Sequence, residues 1–193
     1  ITLVKYVDEN IYRGVLTGLN KAFVIDKETK DELINKDSSS KELIKPFLKG
    51  RDINRYEYPN AERYLIFTRR GVDIDDYPAI KEYLEKYKKQ LKPRPNDVAS
   101  SNWEGRKPGN YNWFEIQDTI DYYKEFEKPK IILPDISKRG EFTIDPDGKY
   151  YMVNTAYLIG SDEKFLLGIL ASDLIDFFYR NISSKYRGGY LRF

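Results

Sequence analysis

The sequence predicts an α+β fold: small mixed sheets and hairpins, several helices, and a long core helix near the C-terminus. Three observations lead there. Short apolar runs bounded by Gly, Pro, Asn and charged residues recur along the chain, as they do between the strands of small sheets. A stretch from Pro78 carries apolar residues at helical spacing. The segment after Ser161 is apolar nearly all round from Phe165 to Phe178, the pattern of a central helix. A chain of 193 residues is long enough for one domain with its own core, or for two small lobes sharing one, and we read residues 1–193 as one unit.

Ile11-Tyr12-Arg13-Gly14-Val15 and Ala22-Phe23-Val24-Ile25 read as two β segments joined by a turn centred on Gly18 and Asn20, an opening hairpin. Asp26 is placed to cap a helix through Leu33 and Ile34. Ser38 to Ser40 can cap a second that carries Leu43, Ile44, Phe47 and Leu48, with a break near Ile44 because Pro46 sits badly in a helix. Tyr64-Leu65-Ile66-Phe67 reads as a buried strand. Pro78 takes the first turn of a helix with Ile80, Tyr83, Leu84, Tyr87 and Leu91 on one stripe. Glu82 with Lys86 and Glu85 with Lys89 form its i,i+4 pairs. Pro93 and Pro95 end it, and residues 96–112 follow as a polar loop too long for a simple connector. A short amphipathic helix over 117–126, a strand at Lys130-Ile131-Ile132-Leu133 and strands at 141–144 and 150–153 come next, the last two flanking the Asp145-Pro146-Asp147-Gly148 turn. Ala156 to Ile159 adds a strand, and Ser161 caps the final helix with Asp162 and Glu163 in its first turn.

Composition narrows the chemistry. With no Cys there are neither disulfides nor thiolate metal sites, and with no His the commonest general base and zinc ligand are missing. Seventeen Tyr and ten Phe are unusual; a core has few partners for so many hydroxyls, so many of the Tyr are expected near the surface, where they suit recognition. Net charge is only +2, so nucleic-acid binding must be argued from where the basic residues fall. No apolar run reaches the roughly 18 residues of a membrane span, and no secretory pattern opens the chain. We expect a cytoplasmic protein with no membrane partner. The chain begins at Ile1 without Met and ends on a strand-like Tyr-Leu-Arg-Phe, so we expect a piece of a longer polypeptide.

No catalytic constellation is found. Methyl transfer from S-adenosylmethionine needs a Gly-rich loop after a strand, and amino-methylation an Asn/Asp-Pro-Pro-aromatic pocket for a flipped base; neither is present. The glycines of Arg13-Gly14 and Thr17-Gly18 are too few and wrongly spaced to cradle phosphate, and a turn is the simpler reading. Pro134-Asp135 followed by Glu141-Phe142-Thr143 approaches a Mg²⁺ nuclease pattern, but Thr143 stands where that pattern has Lys. Asp145 and Asp147 begin like a calcium loop that lacks its closing acid. We assign no catalytic residue, no metal ligand and no cofactor to this segment.

Basic residues do recur beside Gly, Asn and aromatic residues in predicted turns: Arg13, Asn20 and Lys21; Lys49-Gly50-Arg51-Asp52 with Asn54-Arg55-Tyr56; Arg69-Arg70-Gly71; and Arg94. The mixture returns at Asn102-Trp103-Glu104-Gly105-Arg106-Lys107 with Asn110-Tyr111-Asn112-Trp113, at Lys138-Arg139-Gly140, and at Lys185-Tyr186-Arg187-Gly188-Gly189-Tyr190. Arg and Lys suit phosphates and guanine, and Asn suits adenine in the major groove. One such cluster is ordinary solvated loop; their repetition, with no catalytic set to compete, suggests a DNA surface.

The order of motifs is familiar. Arg13-Gly14-x-x-Thr17-Gly18-x-Asn20-x-Ala22-Phe23 resembles the opening of the TaqI-like C-terminal specificity domain of type IIG restriction-modification enzymes and adenine-specific DNA methyltransferases. Lys45-Pro46-Phe47-Leu48-Lys49-Gly50-Arg51-Asp52-Ile53 resembles its next segment, and Tyr77-Pro78 opens the expected helix. Trp113-Phe114-Glu115, Glu127-Lys128-Pro129-Lys130-Ile131, Leu167-x-x-Leu170-x-Ser172 and Tyr186-Arg187-Gly188-Gly189 complete a similarity over nearly the whole chain.

The resemblance implies a target-recognition-domain-like fold on the major-groove side of double-stranded DNA, while a methyltransferase domain of the same chain flips the target adenine. It implies S-adenosylmethionine for that parent, and Mg²⁺ if a nuclease is fused. We place base readout in the 99–112 loop, with Asn102, Trp103, Arg106, Lys107 and Asn110, and phosphate anchoring at Lys49, Arg51 and Arg55. The Thr17-Gly18-x-Asn20 turn lies near the DNA, and Arg13, Lys21, Arg94, Lys138, Arg139 and Arg187 complete the candidate contacts. No methyltransferase or nuclease motif lies in these residues, so catalysis belongs to other sequence. Two alternatives stand beside this reading: a protein-interaction or scaffold domain of a multi-subunit complex that uses exposed Tyr and Trp, and a metal nuclease using Asp135 and Glu141.

Overall fold

The structure, a computed structural model, describes residues 2–185 and 187–192. Its helices are α1 (Leu3–Tyr6), α2 (Asn20–Phe23), α3 (Lys27–Lys36), α4 (Ser40–Leu43), α5 (Pro78–Glu85), α6 (Lys88–Leu91), α7 (Lys164–Leu170) and α8 (Asp173–Ile182). Its strands are β1 (Ile11–Arg13), β2 (Val24–Ile25), β3 (Ile44–Leu48), β4 (Arg63–Ile66), β5 (Lys130–Pro134), β6 (Ile136–Ser137), β7 (Thr143–Asp145), β8 (Tyr151–Met152), β9 (Ala156–Ile159), β10 (Ser184–Lys185) and β11 (Leu191–Arg192). Three small sheets and eight helices among the described residues give the mixed α+β architecture expected from the sequence. The chain forms two compact units: Ile1–Val15, Phe47–Ala61 and Asp121–Phe193 make the first, Leu16–Pro46 and Glu62–Ile120 the second.

The first unit is built on the antiparallel sheet β1-β9-β5-β7, in which Ile131 of β5 lies opposite Ile159 of β9 on one side and Ile144 of β7 on the other. Every residue of β5 is buried. Its Ile131 and Leu133 join Val7, Phe142, Ile159 and the α7 residues Leu166 and Leu170 in one apolar cluster, each such side chain contributing roughly 1.5–3 kcal/mol by leaving water. Lys130 is the exception. Its ammonium is fully buried and donates to Asp145 Oδ2 at 2.5 Å and to Phe126 O at 2.7 Å. Asp145 also accepts from the Lys149 and Tyr150 N–H groups, which closes the predicted turn. Rings stack from Tyr12 to Tyr122 (5.0 Å), Tyr122 to Phe126 (6.0 Å) and Phe126 to Tyr151 (4.8 Å). Their hydroxyls find Asn10, the Arg13 carbonyl and Glu127, so part of the tyrosine content is packed rather than displayed. Phe47 and Leu48 at the end of β3 pair in parallel with Tyr151 and Met152, and β10-β11-β6 forms a small antiparallel sheet.

The long core helix expected after Ser161 is not formed. Two short helices take its place, broken where Ala171 leaves helical geometry and Ser172 Oγ accepts from Ile175 N–H. Ser followed by Asp is a strong N-cap, and here a new cap wins over continuation. Leu174, Phe177, Phe178 and Ile182 of α8 face outward, not into a core.

In the second unit α3 is capped as expected, with Asp26 Oδ1 accepting from Thr29 N–H at 2.9 Å, and it packs against α5 and β4. α4 stops at Leu43, so Phe47 and Leu48, expected on its helix, lie in β3; Pro46 tolerates a strand far better than a helix interior. β2 and β4 pair antiparallel, with Val24 opposite Leu65. The opening hairpin does not form: β1 pairs with β9, and β2 with β4. Between them Thr17 Oγ1 donates to Asn20 Oδ1 and accepts from Leu19 N–H, which starts the helical turn α2 where a hairpin turn was expected. The helix at Pro78 breaks at Lys86 and Tyr87 into α5 and α6. Its expected i,i+4 pairs are replaced: Glu82 meets Lys36, and Glu85 meets Lys88. Residues 117–126, read as an amphipathic helix, form turns and the start of a 3-10 segment, Tyr123–Glu127.

Candidate nucleic-acid interface

The sequence-derived site residues fall into two groups, one on each unit. In the second unit they converge on the 92–118 segment, and Arg106 is its keystone. This residue is buried, 4% exposed, yet has no carboxylate within hydrogen-bond reach. Its five N–H groups all donate to main-chain carbonyls: Nε to Leu91 (2.7 Å), Nη1 to Thr17 (3.0 Å) and Glu115 (2.6 Å), Nη2 to Asn112 (3.3 Å) and Trp113 (3.0 Å). Burial pulls its pKa down to about 10, which leaves it charged at neutral pH. The main chain of Arg106 also bonds Lys92 and Arg94, zipping the two stems of the loop together.

A second guanidinium completes the frame. Arg70 donates to the carbonyls of Asn110, Ile116 and Gln117. The Tyr111 ring takes both cations, Arg106 at 4.4 Å and Arg70 at 5.2 Å from its centroid. Glu115, buried, accepts from Asn112 N–H at 2.6 Å and lies 3.8 Å from Arg70 Nε. Arg70 belongs to one of the basic clusters of the sequence and Glu115 to its Trp113-Phe114-Glu115 motif, but neither is among the contacts assigned from sequence. The signal was an acid between Phe114 and Ile116 in an apolar run, since a buried acid requires a donor. Thr17, buried, supplies one of the carbonyls that Arg106 holds, and Gly18 lies against it: φ is +79° and an added Cβ would sit 2.7 Å from Arg106 Cδ.

On this frame Asn20, Lys21, Asn102, Lys107 and Asn110 are exposed, and Arg94 and Trp103 are half-buried. Arg94 Nη1 holds Val98 O at 3.0 Å, Trp103 Nε1 holds Lys92 O at 3.3 Å, and the Lys107 carbonyl accepts from the Tyr111 hydroxyl. Arg94, Asn96 and Asn110 line a cleft of about 530 Å³ walled by Pro93, Pro95 and Pro108.

In the first unit, Lys49 and Arg51 stand at the rim of a groove of about 460 Å³ with Asn54, Ser137 and Tyr190. Asp52 turns the chain there by accepting from Lys49 N–H at 2.8 Å, and the Arg51 side chain projects outward, 77% exposed. Arg139 is paired to Glu141 at 3.0 Å and Lys138 lies 5.4 Å from the Tyr190 ring centre, both exposed. Arg13, also exposed, donates to Asn154 O. Arg55 is placed differently from a phosphate anchor: it is tied to Ala171 O at 3.0 Å and Asp173 Oδ1 at 2.8 Å, at the corner between α7 and α8. The Arg187 side chain lies outside the described residues. Asp135 and Glu141, the nuclease pair of the alternative reading, have other partners: Asp135 pairs with Arg192, and Glu141 accepts from Arg139 and Arg55 N–H.

Residues 45–193 match the family of the TaqI-like C-terminal specificity domain. The chain belongs to this family. The match takes in the Lys49-Gly50-Arg51-Asp52 turn, Arg70, Arg106 and Glu115, and both C-terminal helices, but not Thr17 and Gly18. Relatives of this specificity domain include the type II methyltransferase M.BstVI of Geobacillus stearothermophilus, 27% identical over 93% of the chain, and M.PaeR7I of Pseudomonas aeruginosa, 29% identical over 93%. The chain spans 30% and 29% of their respective lengths. The type IIL restriction-modification enzyme MmeI, solved in complex with DNA, shares the fold over 95% of the chain and 23% of its own length, with a TM-score of 0.62 at 20% identity. Among the described residues no helix is long and apolar enough to cross a membrane.

Proposed function

We propose that this specificity domain reads a DNA sequence for a restriction-modification methyltransferase. One observation carries the reading: Asn96, Asn102, Lys107 and Asn110 are exposed on a loop whose two stems are tied together through Arg106 and Arg70. Amide and ammonium groups on a preset frame suit base edges in a major groove. Lys49 and Arg51, with Lys138 and Arg139, supply phosphate contacts that position without reading sequence. The longer protein would be an adenine-N6 methyltransferase of the type IIG kind, with or without an endonuclease. This chain offers no glycine-rich loop for S-adenosylmethionine, so methyl transfer is assigned to the remainder of that protein.

Selection from a randomised duplex library with the purified chain tests the reading. Enrichment of a defined sequence by the wild type, altered or lost in Asn102→Ala/Asn110→Ala, is the expected result; no enrichment at any salt concentration removes it. A protein-interaction role is favoured by a separate feature, the exposed apolar stripe of α8.

A further inference from the structure

A further cavity lies wholly within the first unit, and no residue of either group of candidate DNA contacts lines it. Its volume of about 280 Å³ is near the lower end of the range for small-molecule sites. The walls are largely apolar: Phe142 and Ile144 at β7, Leu167 in α7 and Ala171 at the end of that helix. Two features keep it open. Tyr56 adopts a left-handed φ of +69°, a strained conformation for a residue with a side chain. Its ring is 74% exposed, yet it is pinned at the cavity: the hydroxyl donates to Ala171 O at 2.8 Å, and the Arg55 guanidinium lies 4.6 Å from the ring centre. Gly168 sits inside α7, where glycine weakens a helix relative to alanine. Packing does not require it, because an added Cβ would meet nothing within 4 Å. A side chain there would instead take up space that the cavity leaves free.

The polar groups of the lining select the ligand. The Glu57 carboxylate accepts from the Asn54 amide at 3.2 Å, and the Thr143 hydroxyl donates to the Glu57 carbonyl. Lys164 differs. It is exposed, stands one helical turn before Gly168 on the same face of α7, and has no carboxylate partner among the described residues. Tyr58 adds a second exposed ring to the same lining. Aromatic walls suit a flat apolar body, and an unpaired ammonium suits an acidic head. One ammonium matches a singly charged carboxylate, whereas a phosphate dianion would leave most of its acceptor oxygens unmet. We propose that this cavity binds a small aromatic carboxylate, its ring against Tyr56 and Tyr58 and its carboxylate on the Lys164 ammonium. This inference does not rest on the DNA reading.

Indole-3-acetate is the probe, titrated into the isotope-labelled chain and followed through backbone amide shifts. Saturable shifts are expected at Leu167 and Ala171, with a dissociation constant of about 1 mM for a ligand of this size. Tryptamine, the same ring system on an ammonium, should bind at least about tenfold more weakly, and acetate should move neither amide. Lys164→Ala should lower affinity for indole-3-acetate about three- to tenfold and erase its advantage over tryptamine. Gly168→Phe should fill the cavity and abolish the shift at Ala171 without lowering the melting temperature. The exposed Lys164→Ala change decides the matter on its own if Gly168→Phe perturbs the helix. No saturable shift up to about 20 mM indole-3-acetate overturns the proposal. Equal affinity for the two indoles overturns it as well, as does full binding by a folded Gly168→Phe chain, which would put the probe elsewhere.

Discussion

At the scale of single residues, the two glycines of Arg13-Gly14-x-x-Thr17-Gly18 are explained by what a Cβ would meet. Gly14 approaches Val153 so closely that an added Cβ would lie 2.1 Å from its carbonyl oxygen, and Gly18 is both left-handed and packed on Arg106. Gly18→Ala should destabilise the chain by about 1–3 kcal/mol in urea denaturation, and Gly14→Ala by at least as much, because backbone cannot move aside as a flexible side chain can. Arg106→Ala leaves five carbonyls without their donor, and a loss of ~2–4 kcal/mol is expected together with faster proteolysis in the 95–110 loop. Arg106→Lys should recover little, since an ammonium has three donors and no fork. At the buried pair, burial lowers the Lys130 pKa while Asp145 opposes that shift. Lys130→Met should cost about 3–5 kcal/mol by stranding Asp145, and Lys130→Met/Asp145→Asn should cost less than the two single changes combined. Sequence revealed which residue types gather in the loop. It could not tell Arg106 from Lys107, because what makes the former a strut and the latter a surface group is a set of carbonyls, and every residue carries one.

Elements were legible where local chemistry and tertiary packing agree. Asp26 caps α3, Pro78 opens α5, and the apolar runs at β4, β5 and β9 are strands. The failures share a cause: periodicity shows that a stretch is apolar but not which face meets a partner. The C-terminal pattern reads as a core helix because its outer face is as apolar as its inner one, and a Ser inside an apolar run gives little sign that it starts a new helix. Likewise two β-prone segments flanking Gly18 resemble a hairpin until their true partners, distant in sequence, take them. The seating of α8 gives a pH test. Burial pushes the Asp176 carboxyl up, but hydrogen bonds from Gly140 and Arg180 outweigh it and hold it below 3.8. A depressed carboxylate contributes stability in full above its unfolded pKa and loses it as pH falls through the folded value. Asp176→Asn should therefore lower stability at pH 7 and flatten the loss expected in urea melts as pH falls below the ordinary carboxylate range.

For the whole molecule, the two groups of candidate contacts make separable demands on DNA binding. Affinity should fall steeply with salt, with a log–log slope of roughly −3 to −6 if a handful of phosphates are neutralised. Lys49→Ala/Arg51→Ala should weaken all duplexes alike and make that slope shallower by about 1–2, while Asn102→Ala/Asn110→Ala should change the preferred sequence and leave the slope unchanged. Fluorescence anisotropy across a salt series measures both. A net charge of +2 carries no trace of such a division, because it sums over the whole chain. The frame under the loop has a consequence for how such a domain diverges. Arg106 and Arg70 grip carbonyl oxygens, which do not change when a side chain does. Side chains such as those at 107 and 110 can therefore be exchanged without disturbing what supports them; on the proposed reading, a lineage would acquire a new target by point substitution while inheriting the scaffold intact.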